Sequence, residues 1–335
     1  MLNKIMNEKV IYGGFFMLVC VVIIGATMYY QPWWGVVDDA HNLIVADIFW
    51  KHPGIGAFCD MVRAEIDSLG RFRPIYQAWI IFAYGVFRNF PSGAYLCMAL
   101  AGLAILLVWG KMINKVFPAS PDKSFNLFVY PLSFFIFTPF WNNFMYITVL
   151  EKFVYFFGAF SLYFYIRAYD LDSLAYLGAS IAFLLLGILG KETGIALACV
   201  YCVYSVLDCA VFNKNRRLSL ISLVGNVSIV AVYFIFVRSI WNGLFGCIYR
   251  NGFNVKAVLA SFLTAPLVLK GLMAVVAISA CCGVMYVIRR PNGAVRQEYL
   301  LFPIFTGVYL TIIAPVGYFN YYLAPIAPPL MLTVY

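Results

Sequence analysis

Two adjacent acids, Asp38 and Asp39, follow the first long apolar segment of the chain, just after Pro32-Trp33-Trp34. Trp residues placed in this way mark the interface between membrane and water. A carboxylate held at the water edge of a bilayer can act as a general base or as a ligand of a divalent metal. A lone acid here would be an ordinary solvated loop residue, but a pair that opens a long loop predicts a functional role.

A doubly basic element, Gly70-Arg71-Phe72-Arg73-Pro74, lies later in the same loop. Pro fits the first turn of a helix, and the planar guanidinium of Arg suits phosphate or carboxylate. The element therefore predicts a helix that starts at Pro74, with a phosphate bound at the membrane surface by Arg71 and Arg73. The alternative is that both Arg side chains extend from an interfacial helix to lipid headgroups.

Two further charged pairs interrupt the apolar sequence. Glu151-Lys152 opens an apolar segment, which indicates either a second acid that faces the first or an interfacial ion pair. Lys191-Glu192 is flanked by Gly190 and Gly194 between two apolar segments. That pattern indicates a tight turn that faces a polar cavity, or else an anchor at a helix end. Arg250 is a further candidate for contact with an anion.

Two histidines, His41 and His52, share the first loop with the acids. Together with the carboxylates they could ligate a divalent metal, but their spacing matches no metal-binding motif. We therefore expect both to be solvated loop residues.

The composition is that of a membrane protein. The chain has 335 residues, of which 64% are hydrophobic, 19% aromatic and 11% charged. A soluble domain has about 25% charged residues, so there is too little polar surface here for a water-soluble globule. The sequence therefore predicts an all-α, polytopic transmembrane bundle. The net charge of +9 belongs to the loops of such a protein, and no soluble basic domain is present to bind nucleic acid.

Apolar runs of spanning length predict about ten transmembrane helices. They lie near residues 10–30, 93–113, 125–140, 150–168, 173–190, 194–212, 218–238, 264–288 and 299–314, and a last run starts near 323. The chain ends inside this last run at Tyr335, so we expect the C-terminal helices to continue beyond it. We divide the sequence into a first transmembrane module at 1–238 and a set of C-terminal transmembrane helices at 239–335.

The run at 74–90 decides the topology. If it spans the membrane, the basic clusters around Lys111, Lys214 and Arg289 fall outside the cell; if it lies in the interface, all three fall inside. The positive-inside rule favours the second choice. A run this short, with Gln77 inside it, also suits an interfacial helix better than a span.

The second choice makes residues 31–92 one long external loop with helices on the membrane surface, and it places the N-terminus in the cytoplasm. Charged and polar residues from distant parts of the sequence then share the external face: Asp38, Asp39, Arg71, Arg73, Glu151, Lys191, Glu192, Arg250 and Tyr321.

In their order and common side, these motifs resemble the GT-C superfamily of polytopic glycosyltransferases, which use polyprenyl-phosphate sugars. The resemblance rests on the acids after the first span, on Gly70-Arg71-Phe72-Arg73-Pro74 leading to Tyr76, on Glu151 and on Lys191-Glu192. The segment Asn320-Tyr321-Tyr322-Leu323-Ala324-Pro325 is similar to one near the end of the family's sequences, although Asn320 stands where the family often has Arg.

The resemblance implies an inverting glycosyltransferase whose catalytic module is residues 1–238. It implies transfer of a sugar from a polyprenyl-phosphate donor to a cell-envelope glycan or lipid, such as the O-antigen of lipopolysaccharide, on the periplasmic face of the bacterial inner membrane. Asp39 or Asp38 would be the base and Glu151 the second acid. The implied phosphate-binding residues are Arg71, Arg73, Lys191 and Arg250, supported by Glu192, Tyr76 and Tyr321.

The expected partners are the donor, the acceptor and membrane lipids. No cofactor is predicted other than a divalent metal, Mg²⁺ or Mn²⁺, which Asp39 and Glu151 would ligate if the reaction uses one. The alternative is a transporter or flippase of a lipid-linked envelope precursor. Such a protein would place charges inside its spans, where Lys270 is the main candidate.

Overall fold

The computed structural model describes residues 2–30, 39–69, 71–132, 151–241, 267–289 and 296–313, together with 328–329 and 332. Within these ranges the chain is all-helical and contains no strand. The predicted all-α class is therefore confirmed for the part of the chain that the structure describes.

The N-terminal helices are α1 (Leu2–Tyr30), α2 (Asp39–Lys51), α3 (Ile55–Leu69), α4 (Pro74–Val86), α5 (Pro91–Val116) and α6 (Lys123–Phe128). They are followed by α7 (Glu151–Leu171), α8 (Leu174–Gly190), α9 (Ile195–Leu207), α10 (Arg216–Trp241), α11 (Leu267–Arg289) and α12 (Leu301–Ile313). Short 3-10 helices at Glu192–Gly194 and Gln297–Leu300 precede α9 and α12, and a π-helical turn at Asp208–Phe212 follows α9.

Several helices are long and apolar enough to cross a membrane. Within the described residues the segments that qualify by length and composition are Glu8–Ala26, Pro91–Val116, Glu192–Phe212 and Arg216–Ile235. Leu174–Gly190 and Met273–Arg289 are apolar but shorter. These helices agree with a membrane protein, whereas the total of about ten spans stays a prediction.

The core lies between α5, α7, α8, α9 and α12, where large side chains are fully buried. The rings of Tyr165 and Tyr201 stack in parallel with their centroids 4.0 Å apart, which joins α7 to α9. Trp109 of α5 contacts Phe302 of α12, with ring centroids 6.1 Å apart. The helices of the predicted first module and those of the C-terminal part therefore share one core.

Helix α4 corresponds to the run that decides the predicted topology. It has 13 residues and carries Pro74 in its first turn. At about 1.5 Å per residue this helix is roughly 20 Å long, shorter than the ~30 Å hydrocarbon layer. It packs against α2, α3 and α8. Its length agrees with the prediction of a helix that does not cross the membrane.

One end of the bundle, which we call the Asp170 end, collects the basic segments. Asp170 lies in the last turn of α7 and accepts hydrogen bonds from Lys115 Nζ and Arg296 Nη1, each 2.6 Å long. Lys214 Nζ lies 3.2 Å from Glu298 Oε1. The ring of Tyr12 in α1 meets Phe125 of α6 with centroids 5.9 Å apart, which brings the first part of α1 to the same end.

This arrangement places the cationic loops after α5 and α9 at the same end of the bundle as the start of α1. The positive-inside argument requires that common placement. The Glu192 end, where α8 ends and α7 and α9 begin, lies at the opposite end of the same helices.

Candidate functional site

The candidate site lies at the Glu192 end, where the start of α4, the start of α7 and the turn between α8 and α9 meet. A close approach between α7 and α8 builds it. An ideal Cβ placed on Gly190 would lie 2.6 Å from Cβ of Phe153, so the two helices come this near only because residue 190 has no side chain. The approach brings the first turn of α7 beside Lys191.

Lys191 ends α8 by adopting an extended backbone conformation, with φ −156° and ψ 128°. Its amide N–H donates to the carbonyl oxygen of Gly187 at 2.9 Å. Its ammonium is buried, with only 3% of the side chain exposed, and lies 3.3 Å from Oε1 of Glu192. The predicted tight turn is therefore present, and its lysine points into the protein rather than into a solvated loop.

The carboxylate of Glu192 lies near two cations, Arg71 and Lys191, that are far apart in the sequence. Its Oε1 atom lies 4.0 Å from Nε of Arg71 in addition to its ion pair with Lys191. Neither carboxylate oxygen of Glu192 has a hydrogen-bond partner in the described part of the chain. The structure thus brings the predicted Arg element and the predicted Lys-Glu turn together around one acid.

Arg73 is held from one side by α3 and α4. Its Nη2 atom donates to Oε1 of Glu65, whose other oxygen accepts from Nε2 of Gln77 at 2.6 Å. The guanidinium also lies over the ring of Tyr76, with Cζ 5.0 Å from the ring centroid. Only 4% of the Arg73 side chain is exposed. Glu65 therefore fixes the orientation of Arg73 without using all of its donors.

The remaining donors of Arg73, Nε and Nη1, are buried and have no hydrogen-bond partner among the described residues. A buried donor left unsatisfied costs about 1–3 kcal/mol, and more on a charged group. An oxyanion bound here would accept hydrogen bonds from both of these donors. Arg73 therefore holds two buried donors, Nε and Nη1, in a fixed position beside the Glu192 end.

Lys152 adds a fourth cation to this site. The residue is 2% exposed, and its Nζ atom lies 5.7 Å from the ring centroid of Trp79 on α4. We call Arg71, Arg73, Lys152 and Lys191 the cation cluster. The first turns of α4 and α7 lie in the same region, and their backbone N–H groups add positive potential.

Two of the predicted acids, Asp39 and Glu151, are the first residues of helices in this part of the structure. Asp39 begins α2, and one turn later Asn42 accepts a hydrogen bond from the Tyr76 hydroxyl at 3.4 Å. Glu151 begins α7 directly before Lys152. The side chains of Asp39 and Glu151 lie outside the described residues, so their predicted roles stay predictions.

Several predicted residues fall outside the described ranges altogether. These are Asp38, Arg250, Asn320 and Tyr321, and the side chain of His41 is also not described. His52 is exposed, as expected for a solvated loop residue. Within the described ranges no group of three or more His, Cys, Asp or Glu side chains is placed to hold a metal ion. The predicted Mg²⁺ or Mn²⁺ therefore stays a prediction.

Sequence reasoning missed four residues of the site: Glu65, Gln77, Trp79 and Lys152. Gln77 stood out only as a polar interruption of the run at 74–90, and Lys152 only as the neighbour of Glu151. Glu65 could have been predicted, because it lies one helix before the Arg element and a buried Arg needs a carboxylate as its counter-charge.

Comparisons of the whole chain with protein-family models, with curated proteins and with solved structures give no match.

Proposed function

We propose that this protein is a membrane glycosyltransferase that takes a sugar from a polyprenyl-phosphate donor and transfers it to a glycan or lipid of the cell envelope. The observation that carries the proposal is Arg73, a buried guanidinium that is held in place by Glu65 and keeps two donors open. Arg71, Lys152 and Lys191 surround the same region with further positive charge.

A lipid-linked phosphate fits these features better than a soluble anion does. The cluster is formed where apolar helices end, so a ligand with an apolar tail can remain in the membrane while its head enters the site. Fixed cations in such a place act through a lower dielectric than water, which strengthens their attraction for phosphate. They also stabilise the charge that develops on the phosphate as it leaves the sugar.

The reaction that suits this site is a single displacement with inversion. The oxygen of the acceptor hydroxyl attacks the anomeric carbon, the bond from that carbon to the phosphate oxygen breaks, and the hydroxyl proton passes to a carboxylate. Asp39 or Asp38 is the proposed base and Glu151 the proposed second acid. Arg71, Arg73 and Lys191 receive the leaving phosphate, with Arg250 as a further contact, and Glu192, Tyr76 and Tyr321 support the site.

The proposed location is the bacterial inner membrane, with the N-terminus in the cytoplasm and the site on the periplasmic face. Support comes from the gathering of Lys115, Lys214 and Arg296 at the Asp170 end, because basic loops are retained in the cytoplasm. The proposed count of about ten spans and the external placement of α2 to α4 belong to the same proposal.

The test is a transfer assay in membranes that contain the full chain, with a polyprenyl-phosphate hexose labelled in the sugar. We expect label to move into the envelope glycan or lipid fraction, and we expect Asp39→Asn or Asp38→Asn to reduce that movement at least about 100-fold, because general base catalysis contributes 10²–10⁴-fold. Full activity in both variants would contradict the assignment of the base. A flippase of the same lipid would instead move the intact donor across the bilayer without releasing its sugar.

A further inference from the structure

The indole N–H of Trp79 is a further donor without a partner beside the cation cluster. Its Nε1 atom is buried and has no hydrogen-bond partner among the described residues. A buried Trp N–H normally finds an acceptor, so an unmatched one points to an oxygen supplied by a ligand. The same ring has the Lys152 ammonium 5.7 Å from its centroid.

Trp79 and Lys152 are in contact with each other and lie near the other three residues of the cation cluster. Trp79 lies on α4, which begins directly after Arg73. Lys152 lies in the first turn of α7, whose Phe153 is in close contact with Gly190, the residue before Lys191. Trp79 is therefore connected to Arg73 through α4, and Lys152 is connected to Lys191 through the contact between Phe153 and Gly190.

The two halves differ in chemistry. Arg71, Arg73 and Lys191 present charged donors suited to a phosphate. Trp79 presents a single neutral N–H donor beside an apolar ring, and Lys152 presents donors that can serve either a phosphate or a hydroxyl oxygen. A neutral donor on an aromatic ring holds an anion less strongly than a charged donor does, and it fits the oxygen of an uncharged, hydroxyl-rich group.

We propose that Trp79 and Lys152 bind the sugar attached to the lipid phosphate, so that the site takes a glycosylated lipid phosphate in preference to the bare one. This inference rests on the proposed function, because it assumes that the phosphate lies on Arg73. Trp79 donates to a sugar oxygen through Nε1, and Lys152 donates to a second oxygen next to the bridging phosphate.

The experiment measures equilibrium binding of two probes to the purified full chain in detergent. One probe is a polyprenyl phosphate and the other is a polyprenyl-phosphate hexose with the same tail. Two additional hydrogen bonds of modest net strength correspond to a preference of at least roughly tenfold for the hexose form. We expect Trp79→Phe and Lys152→Gln each to reduce that preference to about threefold or less.

Matched controls are available in α2. Trp50 already donates its indole N–H to the carbonyl oxygen of Ile81 at 3.2 Å, so Trp50→Phe removes the same donor from a satisfied position. Lys51 is exposed, so Lys51→Gln makes the same change in charge away from the site. Neither control should change the preference, and thermal unfolding of each variant shows that the fold is retained.

The outcomes separate the two proposals. If the unaltered protein binds neither probe, the proposed function fails. If it binds both probes equally, or if the preference survives both Trp79→Phe and Lys152→Gln, the phosphate site stands and the sugar-binding inference is overturned. If Lys152→Gln weakens the binding of both probes equally, Lys152 contacts the phosphate and not the sugar, and that part of the inference is wrong.

Discussion

The guanidinium of Arg73 donates through Nη2 to Oε1 of Glu65, and both side chains are almost completely buried. This ion pair joins α3 to the start of α4, and it leaves Nε and Nη1 of Arg73 without a hydrogen-bond partner among the described residues. Breaking a buried pair by neutralising one partner is strongly destabilising, because the other charge remains buried without compensation.

Glu65→Gln should therefore lower the free energy of unfolding by about 3–5 kcal/mol. The double variant Glu65→Leu/Arg73→Met removes both charges and should recover most of that loss, since an apolar pair of similar volume replaces a buried ion pair at little cost. The same double variant should lose binding of a polyprenyl phosphate. Denaturant unfolding in detergent gives the first result and equilibrium binding gives the second.

The control for this prediction is Asp67→Asn, because Asp67 forms an exposed ion pair with Arg63 at 3.8 Å on the same helix. An exposed pair of this kind contributes about 0–1 kcal/mol. A stability loss from Asp67→Asn as large as that from Glu65→Gln would show that the effect comes from α3 in general and not from the Arg73 contact.

The close approach at Gly190 gives a second prediction. Gly190→Ala places a methyl group 2.6 Å from Cβ of Phe153, so α7 and α8 must separate at this contact, which displaces the start of α7 relative to Lys191. We expect both a lower unfolding temperature and weaker binding of a lipid phosphate. Gly178→Ala is the matched control on the same helix, since nothing lies within 4 Å of its added methyl group.

Gly178→Ala should be neutral or stabilising by up to about 1 kcal/mol, because Ala is the better helix former. Equal effects of the two substitutions on unfolding and binding would contradict the role given to the Gly190 contact.

Asp170 gives a prediction for the opposite end of the bundle. Burial acts to raise its pKa, but hydrogen bonds and charge from Lys115 and Arg296 dominate and lower the pKa from 3.8 to about 2. A depressed pKa means that the ionised form stabilises the fold. That stabilisation is complete above about pH 4 and is lost as the pH falls toward 2.

The unfolding temperature in detergent should therefore fall between about pH 4 and pH 2 by more in the unaltered protein than in Asp170→Asn. The variant should already be less stable at neutral pH, since Lys115 and Arg296 lose their shared acceptor. If the unfolding temperatures of the two proteins change in parallel with pH, the ion pairs of Asp170 with Lys115 and Arg296 do not contribute to stability as proposed.

Much of the helix order follows from the sequence. The apolar run at 173–190 predicted α8, observed at Leu174–Gly190, because a long uninterrupted apolar segment bounded by charges and Gly has few other solutions. The apolar run at 125–140 predicts a spanning helix, and its described part differs from that prediction. Its described part forms the short helix Lys123–Phe128, which begins where the carboxylate of Asp122 accepts from the amide of Phe125 at 2.7 Å.

The site could be predicted only in part. Arg71 and Lys191-Glu192 were expected on one face from topology alone, and the structure brings them within ion-pair distance. The pairing of Arg73 with Glu65 and the position of Lys152 over Trp79 depend on how closely helices pack, and a single sequence does not encode that distance in any local pattern. Neither could be derived from spacing along the chain.

The most direct measurement of the central claim is an experimental structure of the full chain with a polyprenyl-phosphate hexose bound. We predict a phosphate oxygen at about 2.7–3.2 Å from Nη1 or Nε of Arg73, with the Lys191 ammonium in contact with the same phosphate. A phosphate bound elsewhere, with the Arg73 donors directed to protein atoms of its own chain, would contradict the account.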